Sequence, residues 1–363
     1  MKIPVRDWIY FALPKPCASR TTTLEPDQIR RVVVMRHDSN PTFTYYLETR
    51  LRHLTVPVDV IESKDTINGI DPSTTFVIIC RYIPLLQLLW LWRHRSRFLG
   101  IALFIDDDIA ATVVEGKSGC GYKFYLIQRA LLPLIYLNRI LTSVWASTQT
   151  LAGSLAANAV IAPCPPPEVY AVAPTILSKP ESLLRMAFHA TGAHDAEHVF
   201  LMPIVKTALE KLPNLQFDVV AEGRIGHRWM RELGGLGHRV RVIKPHSWSA
   251  YLDEAVSLQA DILLVPLLPG RVNAARADTK RIDAARLGAA AIFSRCKTYE
   301  RCFTEGEILV NNNSQSWVEA IQSLADEPET RLRAKNATSA SIAAMLKYAS
   351  PKLPGLEDYF SER

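Results

Sequence analysis

Short apolar, β-branched runs recur along the chain, separated by helical patterns. Arg31–Met35 (RVVVM) reads as a buried parallel strand, because such strands are covered on both faces and lose polar alternation. Val58–Ile61, Thr75–Cys80, Ile101–Ile105, Ile140–Trp145 and Val160–Ala162 continue the series. Between them Tyr45–Leu54, Leu85–Arg95, Phe124–Leu137 (bent or capped at Pro133) and the stretch from Ser147 to Ala157 read as helices. A second series has strands at Leu184–His189, Phe217–Val220, Val240–Ile243, Ile262–Val265 and Ala290–Phe293. Its helices are predicted at His194–Lys211, Trp229–Leu236, Trp248–Leu258, Thr279–Leu287, Ser316–Ala325 and 328–349. Strands alternating with helices predict an α/β fold with parallel sheets covered on both faces.

Between the two series lies Pro163-Cys164-Pro165-Pro166-Pro167, a stiff breaker. The resulting organisation is a loose lead-in over 1–30, a Rossmann-like domain over 31–165 and a linker over 166–182. A second Rossmann-like domain covers 183–345, and a tail over 346–363 has packing against the first domain as one option. Open α/β sheets bind ligands at the carboxyl ends of their strands. The expected site is therefore a cleft between facing domains, lined by the loops Arg36–Pro41, Asp106–Asp108, Ala190–His194, Ala221–Arg224 and Pro266–Lys280.

Composition narrows the classes without choosing among them. The chain has 363 residues, 48% hydrophobic and 21% charged, which excludes a disordered chain or a heptad rod. Its mild net charge of +6 fits anionic ligands, nucleic acid or an anionic membrane surface and selects none of them. Six dispersed cysteines form no C-x-x-C pair, which argues against a zinc ribbon or a disulfide scaffold and for a reducing compartment. Met1–Leu13 does not read as a signal peptide, and the apolar stretch Ile83–Trp92 is too short to span a bilayer. The expected location is cytoplasmic.

The segment Val265–Gly288 carries the most chemistry. A strand runs into Pro266. A loop then carries Asn273, Arg276 and Asp278, and Asp278 or Thr279 caps a helix bearing Lys280 and Asp283. A helix start preceded by cations attracts anions. Arg276 and Lys280 are candidates to hold a diphosphate, and Asp283 to accept from a ribose diol. The alternative is a solvated helix with an ordinary Lys280–Asp283 pair.

This segment resembles the donor-binding stretch of retaining GT-B glycosyltransferases, in particular a bacterial polysaccharide branch that is family 4-like and reads N-x-x-K-S-x-x-K-x-x-E. Asn273, Arg276, Ala277, Lys280 and Asp283 stand at that spacing, followed by Gly288, Ala290–Phe293 and Tyr299. Arg276 replaces the Lys, Ala277 the Ser and Asp283 the Glu, and Ala275 holds the first position of the E-x7-E pair of better-known relatives. Phe188–Asp195, Phe217–Gly223, Trp145–Leu151, Phe104–Asp108 and the Gly306, Trp317 and Arg331 positions are similar to further elements of the group.

The resemblance implies a GT-B fold, two Rossmann-like domains facing each other across a cleft. It also implies transfer of a sugar from a nucleotide-sugar donor to a glycan or lipid-linked glycan acceptor, with retention. The expected diphosphate ligands are Arg276, Lys280, Thr279 and His194. The nucleotide and ribose would meet Asp283, Glu222, Gly223, Asn273 and Pro266. His37, Asp38 and Asp107 are candidates for acceptor contact or proton handling, although the leaving phosphate itself can take the proton in such a mechanism. No metal or other cofactor is expected, and nucleic acid is not expected as a partner. The degraded motif positions leave a second reading, a non-catalytic scaffold in a glycan assembly system.

Four further patterns have other meanings. Asp106-Asp107-Asp108 has the D-x-D form of metal-dependent transferases, but that single-domain fold leaves the second strand series unexplained. His194–His198 fits H-x-x-E-H of inverted zinc proteases, with no third ligand following. Leu85–Phe98 (LLQLLWLWRHRSRF) reads either as a peripheral contact at the inner membrane face or, preferably, as a sheet-covering helix ending in cations. Gly116–Gly121 lacks the spacing of a phosphate-binding loop and reads as a flexible loop.

Overall fold

The computed structural model describes residues 5–21, 28–116, 119–169, 183–190, 194–255 and 258–361. Most of the expected linker, Thr191–Ala193 of the loop before His194 and Lys117–Ser118 of the glycine-rich loop lie outside them. The chain divides into two compact units. The first takes in 1–166, Ala274–Ala277 and Tyr348–Arg363, and the second takes in Pro167–Asn273 and Asp278–Lys347.

The first unit holds a six-stranded parallel sheet in the order β2-β1-β3-β4-β5-β6. The strands are β1 (Arg31–Arg36), β2 (Val58–Glu62), β3 (Thr75–Cys80), β4 (Gly100–Ile105), β5 (Ser143–Ala146) and β6 (Ala159–Val160). Every residue of β3 and β4 is buried, as expected of strands covered on both faces. The helices are α1 (Val5–Ala12), α2 (Thr49–Leu51), α3 (Leu85–His94), α4 (Ile109–Val114), α5 (Cys120–Leu126), α6 (Leu134–Leu137) and α7 (Gln149–Leu155). Right-handed crossovers place α3 to α7 on one face, and one apolar cluster joins them to the sheet through Leu91, Ile109, Leu126, Leu134 and Leu155. The tail closes on this unit. Leu54 bridges Phe360, and the Thr55 amide donates to the Tyr359 carbonyl at 2.8 Å.

Several sequence expectations need correction here. The lead-in is not wholly irregular. Its start forms α1, anchored where the buried Tyr10 hydroxyl donates to Asp108 at 2.8 Å. The expected helix at Tyr45–Leu54 is a π-helix, Phe43–Glu48, running into α2. The expected long helix over Phe124–Leu137 is three pieces, because a π-helical turn, Ile127–Leu131, and Pro133 interrupt it.

The second unit holds a six-stranded parallel sheet in the order β12-β11-β10-β7-β8-β9. Its strands are β7 (Leu184–Phe188), β8 (Leu215–Val220), β9 (Val240–Ile243), β10 (Ile262–Val265), β11 (Ala290–Ser294) and β12 (Ile308–Val310). The helices are α8 (Asp195–Lys211), α9 (Gly223–Leu233), α10 (Trp248–Ala255), α11 (Arg271–Ala274), α12 (Lys280–Leu287), α13 (Lys297–Glu300), α14 (Ser314–Asp326) and α15 (Pro328–Tyr348). The half-buried edge strand β12 was not expected. Helix α9 begins six residues before the expected Trp229, at Gly223, whose φ of +53° favours glycine.

Strand order fixes where each sheet reverses direction. In the first unit the reversal lies between β1 and β3, and in the second between β7 and β10. These are the places where open α/β sheets hold ligands, beyond the carboxyl ends of the strands.

Candidate nucleotide-sugar site

At the switch point of the second sheet, β7 runs out into His189 and β10 into Pro266. Lys280, the first residue of α12, extends its ammonium to the His189 carbonyl at 3.0 Å and to the Asp283 carboxylate at 2.8 Å. Asp283 is nearly buried, whereas the Lys280 side chain keeps about a third of its surface exposed (32%). The His189 ring meets the Tyr251 hydroxyl at 3.4 Å. Burial, with Lys280 beside it, lowers its pKa to about 4, so the ring is neutral at pH 7. Burial drives the Tyr251 phenol upward, and Asp283 adds to this.

Helix α12 does not start as expected. Thr279 has helical backbone angles (φ −56°, ψ −21°) and makes no side-chain cap. Asp278 is fully buried and instead accepts from Arg281 at 2.7 Å and from Arg301. The first turn of α12 is therefore fixed from within the core rather than by a cap, and nothing local to Arg281 in the chain marks it for that role. Gly288 ends the helix at φ +65°, the left-handed residue such termini use.

A second cluster lies at the start of α8. Glu197 is buried and accepts from the Asn273 amide at 2.7 Å and the Leu268 backbone amide at 3.3 Å, with His194 Nδ1 at 3.7 Å. Burial pushes its pKa up, but the bonds from His194 and Asn273 outweigh this and hold it at about 2. Asn273 also donates to the Leu268 carbonyl at 2.7 Å, so Glu197 and Asn273 together pin the loop after β10. Ser294 and Asn312 hold the same loop through both backbone groups of Leu267. The structure thus brings Asn273 and His194 together through Glu197, and Lys280 and Asp283 together at His189. Glu222 is exposed, at the entry to α9.

The zinc pattern does not form a ligand set. His198 is buried in the core, where its Nδ1 accepts from the Trp229 indole at 2.9 Å, while His194 pairs with Glu197. Among the described residues no group of three or more His, Cys, Asp or Glu is placed to hold a metal ion.

In the first unit, the acidic end of β4 is neutralised by an arginine that sequence reasoning missed. Arg81 follows β3 at φ +66° and reaches Asp106 at 3.0 Å, Asp107 at 2.9 Å and the Thr42 hydroxyl at 3.1 Å. Burial opposes the Arg81 charge, but Asp106 and Asp107 outweigh it and raise its pKa. Burial also raises Asp106, with Asp107 adding to the effect against Arg81. Asp108 caps α4, accepting from the Ala111 amide at 2.9 Å. The residues Ala274–Ala277 pack in this unit. The Thr148 hydroxyl donates to the Ala275 carbonyl at 2.9 Å, and Arg276 lies 3.5 Å from Asp107. Nearer the first sheet's switch point, His37 Nδ1 meets the Ser63 hydroxyl at 2.9 Å and its Nε2 is 3.4 Å from Asp38, both side chains being largely exposed. The His37 ring also packs edge-on against Tyr125.

Comparison with solved structures identifies the arrangement. Anabaena HepE, solved with UDP and glucose, is similar over 88% of this chain and 98% of its own, with a TM-score of 0.56 at 11% identity. The fold is GT-B. A mutant O-GlcNAc transferase of Thermobaculum terrenum is similar over 98% of this chain and 70% of its own (TM-score 0.53, 13% identity). TarM is similar over 78% of this chain (TM-score 0.51, 11% identity), which spans only about half, 53%, of TarM. No family model matches the sequence. No curated protein matches it either. At these identities the GT-B likeness is one of fold, so the chemistry rests on the site residues themselves.

Proposed function

We propose that this GT-B chain is a glycosyltransferase that moves a sugar from a nucleoside-diphosphate donor to a glycan or glycolipid acceptor, with retention of configuration and without a metal. The observation that carries this reading is the Lys280 ammonium on the first residue of α12, at the His189 carbonyl beyond the end of β7. A diphosphate at that place would take the ammonium in exchange for the carbonyl. Structures of the similar HepE with UDP and with UDP-glucose support a nucleotide-sugar donor.

In the transition state the sugar is oxocarbenium-like and negative charge grows on the leaving phosphate. A preorganised cation aimed at that charge is worth several kcal/mol. Asp283 orients the Lys280 ammonium, and its ribose contact would share the carboxylate with that bond. Glu197, through Asn273 and His194, holds the loop after β10 against which the nucleotide would rest. In the first unit Asp107, flanked by Arg81 and Arg276, is the candidate for acceptor contact, with His37 and Asp38 beside β1.

The test is a screen of nucleotide sugars for transfer and for slow donor hydrolysis, with wild type and Lys280→Ala. At least one donor should be turned over, and Lys280→Ala should lose nearly all turnover while keeping its circular dichroism. Full turnover by Lys280→Ala would refute the assignment. The ammonium's existing bonds to Asp283 and His189 favour one other reading, a GT-B scaffold without catalysis, which predicts no turnover of any donor.

A further inference from the structure

The helical layer of the first unit is apolar on the side that faces away from its sheet. Helix α3 buries Gln87, Leu88 and Leu91 against the sheet and exposes Leu86 (81%) and Leu89 (54%). Helix α1 buries only Tyr10 and exposes Trp8 (69%) and Phe11 (65%). Phe124 on α5 and Ile135 on α6 are exposed too. Of the 19 large apolar side chains exposed among the described residues, 12 stand on α1, α3 and the α5–α6 stretch. The exposed apolar residues of the second unit are scattered singly.

These helices are neighbours. The Trp92 and Tyr136 rings meet at 5.5 Å and join α3 to α6. Pro14 to Pro16, just after α1, line one cavity with Leu134 and Leu137 of α6. The amide of Ile83, ahead of α3, donates to the Arg129 carbonyl at 3.2 Å. Soluble monomers rarely expose a contiguous apolar surface of this kind without a partner.

The charge on the same layer says what that partner is. Residues 85–99 carry Arg93, Arg95 and Arg97, and residues 119–141 carry Lys123, Arg129 and Arg139, with no carboxylate in either stretch. Arg93, Arg95 and Arg139 are exposed, and Arg95 stacks on the Trp92 ring at 4.7 Å. Apolar and indole side chains interleaved with cations fit the interface of an anionic bilayer, where rings and leucines enter the acyl boundary and arginines meet the headgroups.

We propose that α1, α3 and the α5–α6 stretch form a docking face for the surface of an anionic phospholipid membrane. The chain lies on that surface and does not span it, since no helix among the described residues is long and apolar enough to cross. This inference is independent of the donor chemistry.

The test is flotation of the intact protein with phosphatidylglycerol–phosphatidylcholine vesicles and with phosphatidylcholine vesicles alone. Binding should require the anionic lipid and fall as salt is raised. The exposed-residue variant Trp8→Ser/Phe11→Ser/Leu86→Ser/Leu89→Ser should bind at least tenfold more weakly. Arg93→Gln/Arg139→Gln should lose about fivefold for each cation removed. Met230→Ser/Phe303→Ser, in the second unit, should bind as wild type. Sedimentation equilibrium checks the other occupant of such a face, a second copy of the chain. Three results would overturn the proposal: no binding of wild type to anionic vesicles, undiminished binding of both layer variants, or a dimer that the four serines dissociate in place of vesicle binding.

Discussion

Replacing Arg281 by methionine perturbs the least exposed charge cluster in the second unit and tests what fixes the start of α12. The guanidinium is fully buried and all five of its N–H groups are used. They reach both oxygens of Glu307 at 2.8 Å, Asp278 at 2.7 Å, the Arg301 carbonyl at 2.7 Å and the Tyr299 carbonyl at 2.6 Å. Burial opposes the charge, but Glu307 and Asp278 outweigh it and raise the pKa. Methionine fills much of the volume but takes the guanidinium from Glu307 and leaves Asp278 with Arg301. Breaking a buried pair from one side costs about 3–5 kcal/mol. For a unit of this size that is a fall of about 6–20 °C in its unfolding temperature. Calorimetry and urea unfolding would measure it. If uncompensated charge is the cause, adding Asp278→Asn and Glu307→Gln to Arg281→Met should recover part of the loss. A single variant within about 1 kcal/mol of wild type, or a triple variant no more stable than the single one, would show that the buried guanidinium does not hold the start of α12.

Acid should destabilise the second unit through two buried histidines. His189 and His198 have folded pKa values of about 4, well below the ordinary 6.5, because burial disfavours their charge. The unfolded chain therefore binds more protons below pH 6.5, and stability should fall from there toward pH 4 by about 2.7 kcal/mol per pH unit if both contribute. Urea unfolding at pH 7, 6 and 5 should show the slope, and His198→Gln, which keeps an acceptor for Trp229, should roughly halve it. An unchanged slope would exclude His198. Gly288→Ala forces a side chain onto a left-handed residue, with a Cβ 3.3 Å from the Lys335 amine, and should cost about 1–2 kcal/mol in urea unfolding. Equal stability would show that the helix end relaxes.

The two sheets were legible because parallel strands are written as unbroken apolar runs. Val32–Met35 and Thr75–Cys80 are buried throughout. β12 was not legible, being three half-buried residues at an edge. Helix α1 hid for a related reason. Val5, Trp8, Ile9 and Ala12 stand at helical spacing, but the segment is only eight residues long, buries only Tyr10 and belongs to no alternation of strand and helix. At the site, Lys280 and Asp283 are three residues apart on one helix, and their pairing follows from that spacing. Asp278 reads equally well as a cap. Only Glu307, 26 residues further along the chain from Arg281, shows that it belongs to a buried network instead. Arg81 was missed in the same way. Its partners Thr42 and Asp107 lie 39 and 26 residues away, and a lone arginine after a strand carries no local signal.

The proposed function requires the second unit to grip a nucleoside diphosphate through Lys280. Isothermal titration of wild type and Lys280→Ala with UDP, GDP and ADP tests it most directly. At least one nucleotide should bind wild type, and losing a charged hydrogen bond of about 1.5–3 kcal/mol should weaken it about 10- to 150-fold in Lys280→Ala. A wild-type protein that binds none of them, or a variant that binds equally well, would exclude Lys280 as the diphosphate ligand.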